Sequence, residues 1–292
     1  VPKCTDDQRC VGSTPTITHA QNVATSVHSL TCNEPFALSA GTIAVGTFWR
    51  QNYPMTMSGG AITGAGNLEL NGSLTWTGGS MTGAGKLQIL PTRTLFLNGN
   101  VTLGRMLVNN GAVNWTTGNI AMTGATIHNL ATRVFNAISL GTISGVSGTN
   151  LFINAGELRR NGPPSSTSRI AIPVNNPGLV DVRQGTLTIT GSVAQLSGTT
   201  LSGGAWKVNE LGGGMLNLPG TITTIGGSAS VWLNGASSKF PALNTLATNY
   251  GILILQGSRN LSLSPVGGVF TNAAGASLLK VGSGTSIVPG TV

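Results

Sequence analysis

The chain has 292 residues, a formal net charge of +8, 43 glycines, 40% hydrophobic residues and only 8% charged ones. Intrinsic disorder couples low hydrophobicity to high charge, so this composition excludes a disordered polypeptide, and no apolar run reaches the ~18 residues of a membrane-spanning helix. The Lys and Arg residues are dispersed, with Arg159–Arg160 the only adjacent pair; the basic surplus reads as scattered solvated charge, and no nucleic acid is expected as a partner.

Residues 1–15, "VPKCTDDQRCVGSTP", are polar, lack alternation and hold Cys4 and Cys10. They read as an N-terminal extension or cap. With Cys32 they complete the cysteine set, and its confinement to one end predicts a local disulfide in an oxidising compartment. The odd number leaves one thiol free or paired with another chain, and all three intrachain pairings stay open. The opening itself reads as a mature end left by processing, which fits a secreted protein.

Regular patterning begins at "TITHAQNVATSVHSL" (16–30) and continues through "NLELNGSLTW", "KLQIL", "RTLFLNGNVTL", "GTLTITG", "WKVNEL", "SVWLNG" and "GILILQG". Short alternation of apolar and polar residues predicts strands with one buried face. Gly, Asn, Ser and Thr punctuate them as turns. Helical periodicity is nearly absent.

An internal repeat decides the arrangement of these strands. "SGGAITGAGNLEL" (58–70) returns nineteen positions later as "TGGSMTGAGKLQI" (77–89), with seven of thirteen positions identical. "LTWTGGSMTGA" (74–84) reappears as "VNWTTGNIAMTGA" (113–125), carrying Trp76 onto Trp115, and "NAGELRR" (154–160) aligns with "NPGLVDV" (176–182). A period near twenty with slack at the turns is one rung of a stacked β coil. Stacking at about 4.8 Å sets like over like: Ile62 over Met81, Leu68 over Leu87, Leu70 over Ile89. The glycines mark bends that side chains would obstruct. The expected fold is all-β: a single-domain right-handed parallel β-helix, or β-solenoid, over residues 16–292, with roughly 13–15 rungs of about 20 residues and a rod of about 60–70 Å. "RRNGPPSSTS" (159–168) is expected to protrude as a loop.

"NNGAVNWTTGNIAM" (109–122), "INAGELRRNG" (153–162), "VNNPGLVDVRQGTLTITG" (174–191) and "FTNAAGASLLKVG" (270–282) resemble the repeats of large secreted bacterial β-solenoid proteins, the adhesin, autotransporter-passenger and filamentous-haemagglutinin-like class. That resemblance implies extracellular display at the cell surface, as an adhesin or a structural fibre.

Catalytic groups are sparse. Beyond residue 34 the only acids are Glu69, Glu157, Asp181 and Glu210, and the three histidines, His19, His28 and His128, are dispersed. Aligning Gly156 with Gly178 sets Asp181 over Arg159, with Glu157 and Arg183 close by on the same outward face, which reads as a surface ion-pair cluster and not a carboxylate dyad. No catalytic, metal or cofactor-binding residue is expected, and the chain does not read as an enzyme. The five tryptophans, Trp49, Trp76, Trp115, Trp206 and Trp232, read as inward or corner packing. Four Asn-x-Ser/Thr matches, at Asn71, Asn100, Asn114 and Asn260, arise readily in such a composition.

The C-terminal stretch "ASLLKVGSGTSIVPGTV" still alternates, and a solenoid's last rung is an open strand edge. Leu279, Val281, Ile287 and Val288 are therefore the expected subunit contacts. The leading reading is an extracellular structural protein whose solenoid stacks end to end into a filament or forms an adhesin rod. Its partners would be other copies of itself and cell-surface glycans, with no membrane insertion. The alternative is a carbohydrate-binding or polysaccharide-degrading β-helix protein, using outward Trp or Arg residues.

Overall fold

The computed structural model describes residues 15–209 and 213–282. Among them the only helical element is a short 3₁₀ turn, Pro241–Thr245, and the fold is an all-β parallel β-solenoid of about 12 turns with roughly 22 residues per turn. The turns are thus somewhat longer and fewer than the nineteen-residue repeat implies. Two compact units divide the chain: Val1–Phe135 with Ile143–Asn150, and Asn136–Thr142 with Leu151–Val292.

In the first unit one face is a parallel ladder of Ile17–His19, Phe36–Leu38, Met55–Met57, Leu74–Trp76, Thr94–Asn98 and Ala112–Thr117. A second ladder runs through Ala24–Cys32, Thr42–Gln51, Ser80–Ile89 and Val101–Asn109, with a register shift near the middle of most pairings. In other turns that long strand is two short ones, Ala61–Thr63 then Asn67–Leu70, and Ile120–Thr123 then Thr126–Asn129. The shift marks a bend, so each turn has three strand segments. The anticipated stacking is present: Ile62 lies beside Met81, Leu68 beside Leu87 and Leu70 beside Ile89, while Trp76 and Trp115 flank Leu97 from adjacent turns.

The repeated "TGAG" occupies that bend. Gly64 and Gly83 have φ of 95° and 103°, and a Cβ on Gly83 would lie 2.3 Å from the Gly64 carbonyl oxygen. Left-handed backbone and backbone-on-backbone stacking both demand glycine there. The repeat is therefore conformational: each bend rests directly on the bend below.

Inside the first unit, alternation buries Ile43, Trp49, Leu68, Trp76, Met81, Leu87, Leu103, Val113 and Ile127. Each such side chain contributes ~1.5–3 kcal/mol by leaving water. Polar residues join this core only where their hydrogen bonds are satisfied. At one corner, Asn109 Nδ2 donates to Asn129 Oδ1 at 2.7 Å and to Val134 O at 3.1 Å, while Asn109 Oδ1 accepts from Gly111 N. Three turns earlier in the same column, beneath Leu70 and Ile89, Gln51 donates to Glu34 O and Tyr53 O.

The second unit repeats the plan with longer turns. Glu157–Asn161, Leu179–Gln184, Thr200–Asn209, Thr224–Asn234, Ile252–Gln256 and Ser277–Val281 form one parallel ladder. Thr167–Ile170, Thr186–Ile189 and Met215–Asn217 form another. An antiparallel hairpin, Leu196–Ser197 against Thr200–Asn209, lengthens the turn that separates Asp181 from its neighbour Lys207. Asn154 donates to Asn176 Oδ1 at 2.7 Å and to Leu179 O, and Asn249 repeats the device with Asn272 and Ser277 O. Of the loop expected at 159–168, only residues 162–166 lie between strands, with Pro163, Pro164 and Ser165 exposed, while its two ends belong to Glu157–Asn161 and Thr167–Ile170.

Two arginines correct the reading of the basic residues as uniformly solvated. Arg105 and Arg160 are buried within their respective units, at 2% and 0% exposure. Each has strict two-residue parity with core positions: Arg105 with Leu103 and Leu107, Arg160 with Leu158. Arg105 sits one turn beyond the second "TGAG" and donates to Thr82 O (Nε, 3.1 Å), Gly66 O (3.3 Å) and Gly64 O (3.4 Å), carbonyls that lie at the stacked bends. Arg160 donates to Thr186 O at 3.0 Å, Ala137 O at 2.9 Å, Ile138 O at 3.0 Å and Ser166 O at 3.1 Å. Gly162 gives it room, since a Cβ there would lie 1.8 Å from the guanidinium. Neither has a carboxylate partner among the described residues, and burial lowers each pKa from the usual arginine value to about 10.

Candidate functional site

The charge-bearing surface of the second unit is its outward ladder face. Outward positions fall into register columns, one of which runs Arg159, Asp181, Lys207, Trp232, Ile254 and Leu279. The cluster anticipated from the "NAGELRR"/"NPGLVDV" alignment lies at its start, with Arg159 beside Asp181 as that alignment requires.

The contacts within the cluster run mainly along each strand. Arg159 forks onto Glu157, Nε to Oε1 at 2.6 Å and a terminal nitrogen to Oε2 at 2.7 Å, and these hydrogen bonds raise the arginine pKa above its usual value. Arg183 Nε donates to Asp181 Oδ2 at 2.7 Å, and a terminal nitrogen reaches Glu157 Oε1 across the turn at 3.3 Å. Asp181 is nearly buried, with only 3% of its side chain exposed. Its other oxygen accepts from Asn209 Nδ2 at 2.7 Å, and Asn209 Oδ1 accepts from Asn234 Nδ2 at 3.1 Å. The four charges thus lead into a chain of amides that crosses two further turns. In each pair the arginine stays a quarter or more exposed, which holds the contribution to at most ~1 kcal/mol, so their significance lies in the surface they shape.

That surface includes a cleft of about 550 Å³, lined among the described residues by Asp181, Arg183, Lys207, Asn209, Asn234, Gly235 and Gly257. Lys207 Nζ sits 4.3 Å from the centre of the Trp232 ring, a cation–π contact that holds the ammonium in place. Trp232 Nε1 in turn donates to Gln256 Oε1 at 3.0 Å. Trp232 therefore departs from the expectation of inward packing, whereas Trp49, Trp76, Trp115 and Trp206 are buried to within 1%. Trp206 and Trp232 face opposite ways because the register pairs Trp206 with Val231 and Lys207 with Trp232.

The remaining anticipated residues are placed as follows. Cys32 is buried, its Sγ 3.3 Å from Glu34 O, while Cys4 and Cys10 lie outside the described residues. Leu279 and Val281 are 45% and 38% exposed, and their register places them on the outward face. The inward positions of the same strand, opposite Leu253 and Leu255, are Leu278 and Lys280. Ile287 and Val288 lie outside the described residues. His19 contacts Ala40 O and Thr25 Oγ1, and among the described residues no group of three His, Cys, Asp or Glu side chains converges on a metal site. No described helix is long and apolar enough to cross a membrane.

Lys207, Asn209, Asn234 and Trp232 were not legible as a group in the sequence. The inserted hairpin stretches the interval from Asp181 to Lys207 to 26 residues, so the repeat that aligned Arg159 with Asp181 does not carry the column further. No protein-family model, curated protein or solved structure matches the chain.

Proposed function

We propose that the chain is an extracellular structural protein, a β-solenoid that joins end to end into a filament or forms the rod of a surface adhesin. Its principal partner is another copy of itself, with cell-surface glycans as the targets of an adhesive rod, and it works by shape and association instead of catalysis. The observation that carries this reading is in-register parallel pairing out to the outermost described strands. Ile17–His19 pairs only with Phe36–Leu38, and Ser277–Val281 only with Ile252–Gln256, among the described residues. Free strand edges template further pairing. The resemblance of the repeats to secreted bacterial adhesins supports the extracellular part of this reading.

Electron microscopy and light scattering of the purified chain test the proposal. Fibres, or rod-like oligomers that lengthen with concentration, are the expected result. A monodisperse monomer at high concentration, together with a monomeric band on a non-reducing gel, would overturn it.

A further inference from the structure

We infer that the outward cleft of the second unit is a binding site for a carboxylated sugar, such as a uronic-acid unit of an acidic polysaccharide. The inference does not depend on end-to-end assembly. It starts from polar groups that the protein leaves unused. Arg183 commits Nε to Asp181 and one terminal nitrogen to Glu157, while its other terminal nitrogen has no acceptor among the described residues. Lys207 has its aromatic contact but no carboxylate within 4.0 Å among those residues. Asn234 spends its donor on Asn209, and its carbonyl oxygen accepts nothing there.

The charges decide the ligand's sign. Among the described residues Arg159, Arg183 and Lys207 face Glu157 and Asp181, three cations against two carboxylates. One anionic group satisfies the surplus, and the two open donors, an ammonium and a guanidinium N–H, suit one carboxylate. The lining decides the rest. Among the described residues it holds no aliphatic or aromatic side chain: charged and amide heads stand on their own carbon stems beside the bare backbone of Gly235 and Gly257. Such a wall suits a sugar ring, whose C–H face lies against carbon and glycine while an O–H donates to Asn234 Oδ1. The cleft volume is within the ~300–1,000 Å³ of small-molecule sites.

Isothermal titration of the full chain with a galacturonic-acid trisaccharide, its methyl ester and inorganic phosphate provides the test. Saturable binding of the acid is expected, at least about tenfold weaker for the ester and for phosphate. Lys207→Met keeps the stem over Trp232 but removes the charge, and Asn234→Asp puts a repelling carboxylate in the cleft. Each should weaken binding about tenfold or more with the assembly state unchanged; Lys207→Met should also leave the unfolding midpoint in place, whereas Asn234→Asp, which loses its bond to Asn209 Oδ1, lowers it. Absence of binding to the acid, equal binding of the ester or phosphate, or indifference to both substitutions would each overturn the assignment.

Discussion

Arg105 and Arg160 show what a single residue does in a fold with almost no charge to spare. A bend lifts carbonyls out of the strand ladder, and a guanidinium has five donors in a rigid fork with which to collect them. Loss of those donors would leave each buried carbonyl short of a partner, at ~1–3 kcal/mol apiece. Burial opposes this by stripping solvent from the charged guanidinium, which lowers its pKa to about 10. Arg160→Met orphans the carbonyls of Thr186, Ala137, Ile138 and Ser166, so the first effect wins. Denaturant unfolding should show a net loss of ~2–5 kcal/mol. The pH dependence has a definite sign. The folded pKa, about 10, lies below the unfolded one, so above about pH 10 and up to the ordinary arginine value the unfolded chain binds more protons, and these groups' contribution to stability rises with pH there. Well below pH 10 both stay charged and add no slope.

At the scale of the element, the three-segment turn of the first unit depends on its glycine bend and its buried amide corner. Gly83 and Gly124 both have positive φ, but a Cβ on Gly83 meets Gly64 O at 2.3 Å, whereas one on Gly124 meets nothing within 4 Å. Gly124→Ala should therefore cost only the left-handed penalty, ~1–2 kcal/mol. Gly83→Ala must also move a strand, and thermal unfolding should place it at least ~2 kcal/mol below Gly124→Ala. At the corner of the second unit, Asn154→Leu preserves volume but removes the bonds to Asn176 and Leu179 O. A loss of ~2–4 kcal/mol is expected by the same measurement. The bends were legible because their geometry demands glycine turn after turn. Arg105 was equally legible by parity with Leu103 and Leu107, but hydrophobic counting treats arginine as surface, and only the unpaired carbonyls explain why it turns inward.

Across the whole molecule, each turn is stabilised by its neighbours, so protection should fall where a neighbour is missing. In the first unit, inward Thr25, Val27 and Leu30 are only half-buried, whereas their register partners Ile43, Val45 and Trp49 are buried. Hydrogen exchange should accordingly be faster in Ala24–Cys32 than in Ser80–Ile89. In the second unit the edge strand carries a built-in restraint. Lys280 occupies the inward register position opposite Leu255, and its Nζ donates to Val281 O at 3.1 Å and Gly282 O at 3.2 Å. Inward charges are a known way of blunting a strand edge. Lys280→Leu extends the apolar seam and should increase concentration-dependent association in light scattering; no change would place the assembly surface elsewhere.

The sequence by itself determined the class of fold, the stacking of "TGAG" on "TGAG" and the pairing of Arg159 with Asp181, because these follow from alternation and interval, which are local and periodic properties. Tertiary structure decided what lies between the periodic parts. The hairpin at 196–200 changes the interval, so only the folded chain brings Lys207, Asn209 and Asn234 beside Asp181 and Arg183. It also decided which arginines are solvated, since the carbonyls that recruit Arg105 and Arg160 come from strands and loops up to 41 residues away. Periodicity fixes which side chains share a face; the insertions that break it fix which of them meet.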